Sequence, residues 1–148
     1  MNIEKYPYVS KSNHLAYFFK SSGPKGTLKK GVLFRRISDR NNNIYNLSFG
    51  DWDENKSGIA DRVITNNGDR EKVLATVALI VLEFSAYFPS RLIYIEGSTA
   101  SRTRLYQMRI NKYFAEINDI FLVVGYKNEI WEIFSPSRNY EAFVIIRK

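Results

Sequence analysis

The chain has 148 residues and a formal net charge of +7, with 45% hydrophobic and 25% charged residues, values of a folded globular chain and not of a disordered one. It contains no cysteine and one histidine, which excludes disulfides and leaves no ligand set for a zinc site. The charge is uneven: residues 1–40 hold nine Lys/Arg against two acids, 41–100 five against eight, and 101–148 eight against five. A basic excess at both ends favours nucleic acid or an acidic protein as a partner.

Residues 1–13 read as a mostly irregular lead-in without the apolar run of a signal peptide, which predicts a cytoplasmic protein. His14 to Lys20 reads as a strand, followed by a turn on Ser21 to Gly26. Thr27 to Ile37 is a second strand, with Val32 and Phe34 on one face and Leu33 and Ile37 on the other. A polar turn over Asp39 to Asn43 leads to a third strand, Ile44 to Phe49, whose residues Tyr45, Leu47 and Phe49 share a face. Gly50 to Gly58 reads as a polar loop, and Ala60 to Thr65 as a further short strand. Asn67 or Asp69 then caps a helix from Arg70 to about Tyr87, ended by Pro89. Its apolar stretch, Val73 to Leu82, marks a central core helix and is too short to cross a bilayer, so no membrane is expected as a partner.

Arg91 to Glu96 reads as a strand and Ser101 to Asn118 as a second helix, with an apolar stripe on Tyr106, Ile110, Tyr113, Phe114 and Ile117. Ile120 to Tyr126, Glu129 to Phe134 and Glu141 to Arg147 form a closing meander, the first two joined at Lys127-Asn128. The order βββ(β)-α-β-α-βββ predicts an α+β fold, a single domain over residues 1–148 with two helices packed on one face of a mainly antiparallel sheet. An exposed edge strand in such a sheet would let two copies pair as a homodimer.

The strongest candidate site is Gly97-Ser98-Thr99-Ala100-Ser101-Arg102-Thr103-Arg104, where a strand passes into a helix. Backbone amides at a helix start point outward at the positive end of the dipole, and two arginines add charge, so Gly97, Ser98, Thr99, Ser101, Arg102 and Arg104 form an expected anion site. Arg109 joins it as a further cation on the same helix face as Arg102 and Tyr106. The plainer account is that Ser98, Thr99 or Ser101 caps the helix and the arginines pair with acids. A basic strand, Lys29, Lys30, Arg35 and Arg36 beside Tyr17, Phe18, Phe19 and Phe34, has the residue types that hold single-stranded nucleic acid, although adjacent arginines point to opposite faces. The loop from Asp51 begins like a calcium loop, but Lys56 stands where glycine is required and Arg62 where glutamate is, so calcium is rejected. Trp52 in that loop reads as a stacking residue or as a tucked indole. Weak candidates for acid–base work are His14, the sole histidine, and Tyr106. Glu132 and Glu141 would meet across a hairpin or pair with Arg102, Arg109 or Arg138. No metal or cofactor is expected.

The segments Asn66-Asn67-Gly68-Asp69-Arg70-Glu71-Lys72-Val73-Leu74-Ala75-Thr76-Val77-Ala78 and Gly97 to Tyr106, with Phe49 to Asp53 and Tyr140 to Phe143, resemble an uncharacterised bacterial family of about this length, a domain of unknown function. The resemblance spans nearly the whole chain and carries no catalytic residue with it. It implies a stand-alone cytoplasmic protein and, by analogy, a toxin–antitoxin setting.

Three functions follow as expectations. The first is a small basic module binding RNA or a nucleotide at the Gly97–Arg104 helix start. The second is a metal-free, toxin-type ribonuclease using Tyr106, His14 and the arginines. The third is an interaction module for an acidic protein.

Overall fold

A computed structural model of the chain describes residues 2–37, 43–60 and 66–148. Among these residues there are nine strands: β1 (Tyr8–Lys11), β2 (Ala16–Gly23), β3 (Gly26–Arg36), β4 (Ile44–Asp53), β5 (Gly58–Ile59), β6 (Leu92–Ile95), β7 (Phe121–Lys127), β8 (Ile130–Ile133) and β9 (Ala142–Arg147). Three helices accompany them: α1 (Arg70–Tyr87), α2 (Ala100–Lys112) and α3 (Phe114–Ile120). The fold is α+β, with a nine-stranded and mainly antiparallel sheet. The chain gathers into two compact units, Met1–Arg35 with Ser48–Phe88, and Arg36–Leu47 with Pro89–Lys148.

In the first unit the strand order is β1-β2-β3-β4, with β5 on β4. Residues 1–13 are not wholly irregular, because Tyr8–Lys11 pairs antiparallel with β2 as an edge strand. The β2–β3 hairpin is tighter than the sequence suggested: it turns on Pro24-Lys25 and is closed by Gly23 opposite Gly26. Alternation then sorts the residues. Tyr17, Phe19, Val32 and Phe34 are buried on the side where α1 packs, and Phe34 stacks face to face on Phe84 of that helix at 3.8 Å. Helix α1 has the bounds its sequence predicts, and it buries Val73, Val77, Ile80, Val81 and Phe84 at three- and four-residue spacing.

Asp69 stands at the helix N-cap but makes no side-chain cap bond. Its Oδ2 instead accepts hydrogen bonds from the Tyr6 and Ser21 hydroxyls, each at 2.5 Å. Next to it Asn67, almost fully buried, accepts from the Lys25 amide at 2.7 Å and donates to the Gly26 carbonyl at 2.9 Å. The Asn67-Gly68-Asp69 signal therefore clamps the β2–β3 turn to the root of α1. Gly23 is required there, since a Cβ would lie 1.9 Å from the Asn67 carbonyl oxygen.

Gly50 to Gly58 is not a polar loop. β4 runs on to Asp53 and turns back into β5, with Trp52 opposite Ile59. The strand expected over Ala60 to Thr65 and the turn over Asp39 to Asn43 fall mostly outside the described residues.

In the second unit the order is β4-β6-β9-β7-β8. β4 and β6 run parallel, a pairing that needs a long crossover, and the connection between them carries α1. The last three strands are not a meander, because β9 pairs with β7 and β6 and not with β8. The connection Phe134 to Glu141 is longer than a hairpin loop, which is what lets the chain return to the far side of β7. Phe143, Ile145, Ile93, Phe121 and Val123 form the core of this unit.

Where one helix was expected over Ser101 to Asn118 there are two, divided at Tyr113, whose φ of −110° and ψ of 21° leave the helical region. No proline or glycine marks the division. It turns Phe114 onto Phe134, the rings 5.2 Å apart, so tertiary packing overrides a continuous apolar stripe.

Candidate functional site

The segment expected to hold an anion lies in the second unit, between β6 and the first turn of α2. Gly97 is placed against the helix backbone, where a Cβ would be 2.4 Å from the Thr103 amide nitrogen. Its amide donates to Thr103 Oγ1 at 2.9 Å. Thr99 is the N-cap: its hydroxyl oxygen accepts from the Arg102 amide at 3.2 Å, and its carbonyl accepts from the Thr103 amide at 3.1 Å. The cap thus absorbs part of the donor array that the sequence offered. In an α-helix the amides of Ala100 and Ser101 have no partner within the helix. Ser98, Thr99, Ala100 and Ser101 are all exposed.

Both guanidinium groups reach neutral oxygens. Arg102 donates to Ser98 Oγ, and Arg104 donates to Asn139 Oδ1. Among the described residues no ion pair joins either arginine to a carboxylate. Arg109 does not belong to this cluster. It sits in the last turn of α2, seven residues beyond Arg102 and so about 10 Å along the axis, where its charge suits the negative end of the dipole. Tyr106, one turn from Arg102, is half-buried, and burial pushes its phenol up to about 12, against a smaller downward pull from Arg102. At neutral pH it holds its proton, which suits a donor and not a general base.

The rest of α2 shows what the pattern hid. The residues it buries are Thr103 and Gln107, not the apolar stripe, whose members are only half-buried. Gln107 donates to the Arg138 carbonyl at 2.6 Å and accepts from the Tyr140 amide at 3.0 Å. It fixes the segment that carries Asn139, the partner of Arg104.

The other candidates separate. His14 lies in the first unit on a turn with three successive positive φ values, Ser12, Asn13 and His14. Its ring stacks on Tyr87 at 3.8 Å, and Nδ1 is 3.7 Å from the Glu83 carboxylate. Glu83 also accepts from Tyr8, whose phenol is pushed up to about 12 by burial and then by that carboxylate. Tyr17, wholly buried, is pushed up too, again by burial first and by Glu83 next. Glu132 and Glu141 do not form a carboxylate pair. Glu132 takes both oxygens to Arg138, at 2.8 and 2.9 Å, and Glu141 accepts from the Asn128 amide at 3.0 Å.

The basic strand divides by alternation. Lys30 is 2% exposed and paired with Asp51, so it is core and not surface. Arg35 and Arg36 are exposed. Lys29 points to the opposite face, its ammonium 4.7 Å from the Phe18 ring centre and 5.8 Å from that of Trp52. Trp52 is a tucked indole on β4, edge-on to Phe18 at 4.8 Å. Lys11 and Lys20, which the sequence analysis did not single out, share that face. Lys11 was hidden by the unread strand β1.

Among the described residues no group of three or more His, Cys, Asp or Glu is placed to hold a metal ion. No described helix is long and apolar enough to cross a membrane. No curated protein and no solved structure matches the chain. A family of unknown function (DUF6934) matches residues 2–148, nearly the whole length, and the chain belongs to that family.

Proposed function

We propose that this protein binds a phosphate-bearing partner, RNA or a nucleotide, at the start of α2. What supports the reading is the state of Arg102 and Arg104, two guanidinium groups at an exposed helix N-terminus whose hydrogen bonds go to Ser98 and Asn139, neutral groups that leave their charge uncompensated. A phosphate oxygen there would take the Ala100 and Ser101 amides and displace Ser98 from Arg102. Ser98 and Asn139 hold the arginine side chains close to that position beforehand, which lowers the ordering cost of binding.

Titration with a nucleoside monophosphate, followed by backbone amide NMR, tests the site directly. The Ala100 and Ser101 amides shift in the native chain and stay still in the Arg102→Ala/Arg104→Ala variant. Affinity for RNA at that site falls steeply with salt, the mark of counterion release. Shifts absent at low ionic strength, or unchanged in the double variant, would refute the reading.

A further inference from the structure

The outer face of the β1–β2–β3 sheet carries a second feature with a physical signature of its own. Register places Lys20 directly opposite Lys29, and Gly31 opposite Phe18. On the other side Val9 is opposite Phe18 and Lys11 opposite Ala16. By alternation Lys11, Phe18, Lys20 and Lys29 all stand on one face, with the aromatic ring between the Lys11 and Lys29 ammonium groups and Lys20 the next residue of its strand on that face. Lys11 and Lys29 lie 5.8 and 4.7 Å from the centre of that ring.

Like charges placed directly opposite across two strands destabilise a sheet, so the Lys20–Lys29 pair works against the fold that contains it. One acid offsets part of this charge: Glu54, itself exposed, meets Lys29 at 3.0 Å. Lys29 holds that carboxyl below its ordinary range. No ion pair among the described residues involves Lys11 or Lys20. The three lysines and Phe18 line a groove of about 510 Å³ that contains no acidic residue in its walls. That size falls within the roughly 300–1,000 Å³ of small-molecule sites.

We propose that this groove holds a short run of single-stranded nucleic acid, with phosphates at Lys11, Lys20 and Lys29 and a base against Phe18. An aromatic side chain on a sheet face, flanked by cations, is a stacking platform with its counter-charges in place. An acidic peptide fits less well. It would add to the edge at β1 and reach Lys11, whereas Lys20 and Lys29 stand one and two strands further in. The inference stands on residues separate from the α2 start and survives or fails without it.

The test is fluorescence anisotropy with a labelled ten-nucleotide oligouridylate, using the full chain at low and moderate salt. Lys20→Glu removes a phosphate contact and the repulsion from Lys29. Affinity should fall at least about fivefold and the salt dependence should flatten, while the thermal midpoint holds or rises. Phe18→Leu keeps an apolar side chain but loses the stacking surface, with an expected drop of about five- to 100-fold in affinity. The Arg102→Ala/Arg104→Ala variant should leave the Lys20 and Phe18 effects in place. If the native chain fails to bind, if both first-unit variants bind like it, or if an oligoglutamate competes as well as unlabelled oligouridylate, the proposal is overturned. Binding lost only with the arginines overturns it too, and leaves the α2 reading standing. Competition by uridine monophosphate alone, at concentrations matching the polymer's phosphates, would identify a free nucleotide as the source of the same chemistry.

Discussion

Gln107 shows how one side chain can stand in for backbone pairing. It is 1% exposed and meets a carbonyl and an amide of the 138–140 segment with its two ends. A side-chain amide donates from its nitrogen and accepts at its oxygen, so it serves both backbone partners at once. Gln107→Ala leaves the Arg138 carbonyl and the Tyr140 amide without their partner, and urea denaturation should show a loss of about 2–3 kcal/mol. Gln107→Glu keeps the acceptor but turns a carboxylate oxygen toward the Arg138 carbonyl. Burial and that contact raise its folded pKa, so relative to the native chain the variant should regain stability as pH falls and the carboxyl is protonated. A deficit that stays constant between neutral and acid pH would contradict this account. Nothing in the periodicity of α2 marked Gln107, because a polar residue on a helix is read as solvent-facing until its partners are known.

Among the elements, the β7–β8 hairpin departs most instructively from its sequence. The turn is Asn128-Glu129, one residue later than the Lys127-Asn128 expected, and both residues have positive φ, 50° and 65°. That is the backbone of a type I′ turn, for which Asn-Gly is the preferred pair. Asn128 suits it, and Glu129 carries the cost of a side chain in the left-handed region. Glu129→Gly should therefore raise stability by about 0.5–1 kcal/mol, measured as the denaturant midpoint at unchanged slope. A lower midpoint would mean that Glu129 makes a compensating contact. Helix α1 behaved differently. Its cap residues, apolar spacing and terminal Pro89 all lie within one continuous window, and both ends came out as read.

For the whole molecule, the phenols set the alkaline limit. Burial first, then Glu83 and Glu96 respectively, pushes Tyr8 and Tyr94 up to about 12. Tyr106 reaches about 12 through burial, and Tyr6 and Tyr17 are raised as well. A raised folded pKa means the folded chain holds these protons more tightly than the unfolded one, whose phenols titrate near pH 10. The stabilisation is complete below about pH 10 and is lost as pH rises through about 12. Denaturation midpoints should be flat into mild alkali and then fall. Phenolate absorbance should show a late group appearing together with the loss of near-UV circular dichroism. Ten tyrosines all titrating near pH 10 in an intact fold would contradict it.

The amino-acid sequence by itself determined the class of fold, the helix from Arg70 to Tyr87 and the core alternation of Val32 and Phe34. Each depends on propensity and periodicity acting over about ten consecutive residues. Only the tertiary structure decided that β9 lies between β6 and β7, that the helix after Gly97 divides at Tyr113, that Lys30 is buried with Asp51 and that Lys11, Lys20 and Lys29 share a face with Phe18. Strand partnership, burial of charge and the use of a face depend on groups far apart in the chain. Their energies exist only once those groups have met.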